Sequence, residues 1–205
     1  MTSIRLRDVL TVLEGLYPQD SAQSWDRVGL VTGDPEQPVR RIHAAVDPTL
    51  EVIAQARDAG ADLLITHHPL LLRGVHSVAT TSAKGAAITS LVVGDVALYV
   101  AHTNADVAEP GVNTALAAAC GLASTEPLST EEDRPMGRVG DLDEPVTLAD
   151  FAARLAAALP SAPAGIRVAG PAEAPVRRVA LLGGAGDGLV DAAVAAGADV
   201  YVTAD

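Results

Sequence analysis

Apolar residues recur at two different spacings along the chain, and their alternation predicts the secondary structure. Near the start, helical spacing predicts an amphipathic first helix, whose apolar positions are Ile4, Leu6, Val9, Leu10, Val12, Leu13 and Leu16. Beyond it, short apolar runs typical of strands alternate with helical segments. The predicted strands span 41–46, 62–66, 95–101, 166–168, 176–182 and 198–202, and the predicted helices span 50–59, 83–93, 111–120, 148–159 and 189–196.

This alternation is typical of an α/β fold, in which a mostly parallel or mixed sheet carries helices on its faces. The composition changes between Ala123 and Glu144, where two prolines and seven carboxylates accompany only two arginines. We interpret this stretch as a linker or an exposed lid, a plain solvated loop being the simpler alternative. The sequence therefore predicts two α/β domains, residues 1–124 and 125–205.

Composition and charge argue against several classes of function. The net charge of −12 disfavours a broad face for nucleic acid or for an anionic membrane. The single cysteine, Cys120, lies in an apolar run, where a buried filler in a reducing compartment is expected. No apolar run approaches the roughly 18 residues of a membrane span, and the first helix lacks the continuous apolar centre of a signal peptide. We therefore expect a cytoplasmic protein with neither membrane nor nucleic-acid partners.

Side chains able to bind a metal follow three of the predicted strands. Asp47 follows the first, His67 and His68 follow the second, and His102 and Asp106 follow the third. A right-handed helical crossover makes the second and third strands parallel and often adjacent, so we expect both histidine clusters at one edge of the sheet. On a regular strand, adjacent histidines point to opposite faces. The proline that follows them breaks the strand, so both rings can serve one site; alternatively, each serves a different ion of a pair.

Imidazole and carboxylate side chains together indicate a divalent-metal site, which we set against the simpler alternative of one buried and one exposed histidine. These ligands suit Zn, Mn, Fe, Co or Ni without selecting among them. His67, His68 and Asp106 are the expected ligands, and three protein ligands leave room for a nucleophilic water. His102 is either a ligand or a group that orients one or moves protons, and Asp47 is expected, like His102, to act in catalysis near the substrate.

Three other features have simpler interpretations. The glycine-rich run 183–188 follows a strand and precedes a helix, which raises the possibility of nucleotide binding. It matches neither the dinucleotide fingerprint nor a P-loop, so a tight strand-to-helix turn is the favoured interpretation. His43 lies inside a predicted strand and is expected to be structural, whereas His76 lies in a loop and is expected to be exposed.

Eight short segments, in their order and spacing, resemble the GTP cyclohydrolase I type 2 homologues, also called Nif-three-like proteins. They are Trp25-Asp26-Arg27-Val28-Gly29-Leu30, Val46-Asp47-Pro48-Thr49, Ile65-Thr66-His67-His68-Pro69-Leu70, His102-Thr103-Asn104-Ala105-Asp106, Gly111-Val112-Asn113, Gly137-Arg138-Val139-Gly140, Gly183-Gly184-Ala185-Gly186 and Tyr201-Val202-Thr203-Ala204-Asp205. The resemblance implies two α/β domains, two divalent metal ions per subunit and a ring-shaped homohexamer. It maps the family's metal ligands onto His67, His68 and Asp106, and it matches His102 to a histidine lining the same pocket.

The resemblance further implies a metal-dependent hydrolase with a dinuclear centre. Two alternatives remain for this chain. It is a non-catalytic metal-binding or scaffold protein that forms a ring, or a nucleotide-binding protein that uses the run 183–188. The family supplies a further histidine and glutamate ligand after the strand that here ends at Asp205. On that basis the chain is expected to be truncated, and to bind metal more weakly than a version extended past this residue.

Overall fold

The chain folds into two units, each with its own main sheet. The division between the units falls between Ala108 and Glu109. The computed structural model describes residues 4–204. The helices are α1 Leu6–Leu16, α2 Leu50–Asp58, α3 Ala83–Val93, α4 Thr103–Val107, α5 Val112–Ala119, α6 Leu148–Ala158 and α7 Val190–Ala195. The strands are β1 Gly29–Thr32, β2 Ile42–Ala45, β3 Leu63–Thr66, β4 Ala97–Val100, β5 Ser129–Glu131, β6 Arg134–Met136, β7 Arg138–Thr147, β8 Pro175–Ala185 and β9 Val200–Ala204.

The first unit is a sheet with helices on both faces. Its strand order is β1-β4-β3-β2, in which β2, β3 and β4 are parallel and β1 is antiparallel to β4. Successive strand residues point to opposite faces, so Leu63 packs in the cluster that contains Leu6 and Leu13 of α1, while Leu64 packs with Ile53 and Leu91 of α2 and α3. The predicted α/β class and the adjacency of β3 and β4 are confirmed.

Three of the helices have a hydroxyl side chain at the N-cap position. The side-chain oxygens of Thr49, Ser82 and Thr147 accept hydrogen bonds from backbone N–H groups in the first turns of α2, α3 and α6. Each bond satisfies a donor that a helix end would otherwise leave unpaired. Within residues 4–204, none of the helices has the length and apolar character needed to cross a membrane.

The second unit contains a three-stranded sheet and a separate hairpin. Strand β8 pairs antiparallel with β7 and parallel with β9, while β5 and β6 form the hairpin. Ala117 of α5 and Cys120, which directly follows this helix, pack in one core with Phe151 of α6 and Leu181 of β8. Because α5 is part of this core, the division between units precedes it, whereas the sequence pattern placed the boundary after residue 124.

The acidic stretch 123–144 is not a linker or lid, and this interpretation was wrong. It contains the β5–β6 hairpin and the first half of β7, which pairs with β8. Along β7, buried Gly140 and Leu142 alternate with exposed Asp141 and Asp143, so the carboxylates occupy the solvent face of a strand. Residues 166–168, predicted as a short strand, form none, and β1 and α4 are elements that the hydrophobic pattern did not predict.

A strand–helix–strand arrangement occurs in both units with equivalent hydrogen bonds. The carboxylate of Asp62, just before β3, accepts two consecutive backbone N–H groups next to β2, and Asp199, just before β9, accepts two in β8. The guanidinium of Arg41 donates to the carbonyl of Ala59, directly after α2, and that of Arg178 donates equivalently to the carbonyl of Ala196, directly after α7. The same four residues, Ala-Gly-Ala-Asp, connect helix to strand in each case. Asp62 therefore links the start of β3 to the start of β2, and Asp199 links the start of β9 to β8, its parallel neighbour.

Candidate metal centre

Three histidines gather at the carboxyl edge of the first sheet. Strand β3 ends at Thr66 and is followed by His67 and His68, while β4 ends at Val100 and is followed closely by His102. One ring nitrogen of each histidine lies within 4.8 Å of the corresponding nitrogens of the other two. The ring centroids are 5.0 to 5.7 Å apart. The structure therefore brings together the histidines that follow two neighbouring strands.

The end of β3 explains how adjacent histidines reach one place. The backbone N–H groups of His67 and His68 still donate to Ala45 and Val46, at 3.2 and 2.8 Å. The Thr66 hydroxyl donates to the carbonyl of His68 at 3.0 Å, which bends the chain after the strand. Because regular strand geometry ends here, the two rings no longer point to opposite faces.

The short helix α4 brings Asp106 to the same edge. The backbone N–H of Asp106 donates to the carbonyl of His102 at 3.1 Å, so these two residues are one helical turn apart. One carboxylate oxygen of Asp106 lies 3.7 Å from Nε2 of His67. Burial raises the pKa of Asp106 to about 7, a shift that the nearby His102 opposes and Asp26 reinforces. The expected ligands His67, His68 and Asp106 are thus adjacent to the third histidine.

Each histidine contacts an oxygen acceptor through Nδ1. The acceptors are the carbonyl of Ala101 for His67, at 2.9 Å, the carboxylate of Asp47 for His68, at 2.7 Å, and the carboxylate of Asp26 for His102, at 3.0 Å. An oxygen that accepts from Nδ1 holds the proton there and leaves the Nε2 lone pair available. This arrangement is typical of histidines that bind metal through Nε2.

Burial also favours the neutral form of His67. Desolvation lowers the pKa of His67 more than the hydrogen bond to the Ala101 carbonyl raises it, and the neighbouring histidines lower it further. A neutral imidazole is the form that binds a metal.

Asp26 is the residue of this network that sequence reasoning did not single out. Its side chain is fully buried, and its carboxylate accepts hydrogen bonds from the backbone and hydroxyl of Thr103 and from the backbone of Arg27. Burial tends to raise the pKa of Asp26, but the bonds from His102, Thr103 and Arg27 hold it well below its usual range. The only sequence signal was its place in the segment Trp25–Leu30.

The other sequence-derived candidates lie apart from the histidine cluster or at its margin. Asp47 contacts His68 and its side chain is 57% exposed. His43 is a partly exposed residue of β2, an edge strand, and His76 is exposed, as expected.

The glycine-rich run 183–188 forms the end of β8 and a single 3-10 turn. Gly183 donates to the Asn113 side chain at 2.8 Å, and the Tyr201 hydroxyl donates to the Gly186 carbonyl at 2.8 Å. These contacts support its interpretation as a tight turn.

The chain belongs to the Duf34/NIF3 (NGG1p interacting factor 3) family, whose model matches residues 4–205. It is 50% identical to a GTP cyclohydrolase 1 type 2 homolog of Streptomyces coelicolor, in an alignment covering 98% of this chain and 72% of that protein. It is 33% identical to the protein of the same name from Mycobacterium tuberculosis, covering 99% of this chain and 82% of that one.

Solved structures agree with the family assignment. A hypothetical protein of Staphylococcus aureus superposes with a TM-score of 0.88 at 30% identity, covering 100% of this chain and 80% of that one. A Bacillus cereus protein related to NIF3 gives a TM-score of 0.90 at 26% identity, covering 100% and 83% of the two chains. The resemblance stated from the sequence motifs, and the fold that it implied, are confirmed.

Proposed function

We propose that the histidine cluster binds divalent metal and that the chain acts as a metal-dependent hydrolase. The observation that carries this proposal is the convergence of three imidazoles, each engaged at Nδ1 by an oxygen acceptor. With the proton on Nδ1 of each ring, the three Nε2 atoms can only accept. None of them can donate a hydrogen bond to another, so a shared electrophile such as a metal ion explains why they lie together.

The donor set fits a transition metal or zinc. Three neutral imidazoles and one carboxylate suit Zn, Mn, Fe, Co or Ni, whereas Mg²⁺ and Ca²⁺ prefer sites made of oxygen ligands. His67, His68, His102 and Asp106 would hold the metal. The resemblance to the family implies a centre of two ions, and the carboxylate of Asp106 would contribute to holding them.

A bound divalent metal supplies a Lewis acid and lowers the pKa of a coordinated water, which provides a nucleophile near neutral pH. The chain's own residues would orient the ligands and contact the substrate. Asp47 holds His68 from the outside and is more than half exposed, so it is the acidic group of the network that a substrate reaches most readily. Asp26 and the Ala101 carbonyl hold the other two rings from the protein side.

The names of the relatives suggest the first substrates to test. Because several of them are called GTP cyclohydrolase 1 type 2 homolog, we propose purine nucleotides and cyclic amides as the first panel, followed by phosphoesters. The protein is assayed with Zn, Mn, Fe, Co and Ni added singly. Hydrolysis that requires metal, and that is lost in His67→Ala but kept in the His76→Ala control, supports the proposal.

A protein that binds metal but hydrolyses none of these substrates with any metal contradicts the enzymatic part of the proposal. It would leave the alternative of a non-catalytic metal-binding or scaffold protein. Metal content, measured after dialysis, tests the binding part separately, because it does not depend on the choice of substrate.

We further propose that the chain self-associates into a ring, the homohexamer that the resemblance to the family implies. Large apolar side chains are more than half exposed on α1 and on α3, which lie on opposite faces of the first sheet, and exposed apolar surface of this kind supports association; they are Val12, Leu16, Val92 and Val93. Light scattering coupled to size exclusion measures the mass directly. A monomer at micromolar concentration contradicts this proposal without bearing on metal binding.

A further inference from the structure

The loop between α1 and β1 places a buried carboxylate behind His102. Oδ2 of Asp26 lies 3.0 Å from Nδ1 of His102, and the same oxygen accepts from the backbone and the hydroxyl of Thr103 at 3.1 and 2.6 Å. The other oxygen, Oδ1, accepts the backbone N–H of Arg27 at 2.7 Å. Both oxygens are therefore committed, and the carboxylate cannot rotate without breaking several bonds.

The three Nδ1 acceptors of the cluster differ in how firmly they are held. Asp47 has a side chain that is 57% exposed, so water competes for its bond to His68. The Ala101 carbonyl is fixed but carries no charge. Asp26 alone of the three combines a charge with complete burial, and its partner His102 has a side chain only 17% exposed. A charge-assisted bond in this setting is stronger than either of the other two.

We propose that Asp26 is a positioning residue that fixes the ring and the tautomer of His102, so that Nε2 faces the histidine cluster and contributes to metal affinity. This inference rests on the proposed metal centre. Asp26 itself would not touch the metal. Its effect passes through His102, as carboxylates that accept from the second nitrogen of a metal-binding histidine are known to act.

The two sets of donors around Asp26 make asparagine an informative replacement. If the amide NH₂ takes the place of Oδ1, it faces the backbone N–H of Arg27, and two donors meet. If it takes the place of Oδ2, it faces His102 and Thr103, and His102 must then accept at Nδ1 and carry its proton on Nε2. The second arrangement removes the lone pair that a metal needs. In both arrangements the group facing Nδ1 of His102 loses its negative charge, so Asp26→Asn keeps the shape of the side chain while weakening the preference of His102 for a proton on Nδ1.

The first test is made on the native, metal-free protein. Nitrogen-15 NMR distinguishes a protonated from an unprotonated ring nitrogen, and His102→Gln identifies the resonances. The proposal predicts a protonated Nδ1 and an unprotonated Nε2 in His102, and a shift of this balance in Asp26→Asn. A native His102 protonated at Nε2, or an unchanged tautomer in Asp26→Asn, overturns the proposal.

The second test measures Zn²⁺ affinity by titration against a chelator. Loss of an outer partner of a ligand commonly costs 10- to 100-fold in metal affinity, and we expect a loss of that order in Asp26→Asn. In a His102→Ala background the same substitution should change the affinity less than about twofold, because Asp26 then has nothing to position. An equal loss in both backgrounds assigns Asp26 a merely structural role and overturns the inference.

Ser82→Ala supplies the control for stability. It removes the side-chain acceptor of the Gly85 backbone N–H at the start of α3, so it should destabilise the fold while leaving the His102 tautomer and Zn²⁺ affinity near native. Affinity lost in Ser82→Ala to the same degree as in Asp26→Asn contradicts positioning. Native protein that binds no Zn²⁺ refutes the proposed metal centre instead, and the tautomer experiment then decides the role of Asp26 alone.

Discussion

Two helical glycines of the first unit differ sharply in the space around them. A Cβ on Gly85 of α3 would lie 2.0 Å from the carbonyl oxygen of Ala79 and 2.8 Å from its carbonyl carbon, whereas a Cβ on Gly15 of α1 would meet no atom within 4 Å. The backbone near Ala79 belongs to the segment that connects the His67-His68 pair to α3. Gly85→Ala tests how firmly that segment packs on the helix, and Gly15→Ala is its matched control.

Two opposing effects set the expected magnitudes. Alanine is favoured over glycine in a helix interior by about 0.8–1 kcal/mol, and the benefit is smaller near a helix end, so Gly15→Ala should stabilise by about 0.5 kcal/mol. Gly85→Ala gains a similar amount but must relieve an overlap with backbone atoms that cannot rotate away. Inserting a methyl-sized group into packed structure typically costs about 1–3 kcal/mol. We therefore expect a net loss of about 1–2 kcal/mol.

Urea unfolding measures both changes. Trp25 is the single tryptophan of the chain and lies in the first unit, as both glycines do, so its fluorescence reports on the relevant part of the molecule. The midpoints should shift in opposite directions with unchanged slopes. Stabilisation of Gly85→Ala to the same degree as Gly15→Ala would refute the close packing of the Ala79 segment on α3.

Two further predictions concern the second unit. Backbone hydrogen bonds from Arg178 and Arg177 lower the pKa of Asp199, so its contribution to stability is present above its unfolded pKa and is lost as the pH falls through the lower folded value. Asp199→Asn should therefore destabilise at pH 7, and its unfolding midpoint should approach that of the native chain as the pH falls from about 4; a difference that stays constant over this range contradicts the prediction. Burial raises the pKa of Cys120 to about 11, so iodoacetamide at pH 8 should modify it only after urea is added, and rapid labelling of the native chain would contradict its burial.

The regular elements could be predicted largely from periodicity. The predicted helix 83–93 matches α3 at both ends, and the predicted helix 148–159 begins at the same residue as α6. The strands β3, β4 and β8 were found because they are apolar runs buried within a sheet, which is the pattern that hydrophobicity detects best. The parallel adjacency of β3 and β4 then followed from general rules of chain connection.

The elements that escaped prediction have a polar or mixed sequence. Strand β7 carries charged side chains on its solvent face, and its outer half therefore resembled a loop. Strand β1 begins at a glycine and has only one fully buried residue, unlike the buried runs of β3 and β4. Helix α4 has five residues, and its polar residues are buried. In each case pairing with distant segments, rather than local propensity, determines the structure.

The same limit applies to the site. His67, His68 and Asp106 could be singled out because their strands are neighbours, and the role of His102 was left open between ligand and outer group. Asp26 could not be assigned, because its contact with His102 joins positions 76 residues apart through a loop without periodic pattern. Sequence reasoning thus identified the candidate ligands but not the carboxylate behind them.

Anomalous diffraction tests most directly whether the histidine cluster is a metal centre. Crystals of the protein soaked with Zn²⁺ are measured on both sides of the zinc absorption edge. We expect a zinc peak about 2.0–2.1 Å from Nε2 of His67 and of His68, with Nδ1 of His67 still bonded to the Ala101 carbonyl and Nδ1 of His68 to Asp47. Peaks elsewhere on the protein with none at the cluster, or histidines turned so that Nε2 faces those acceptors, would contradict this expectation.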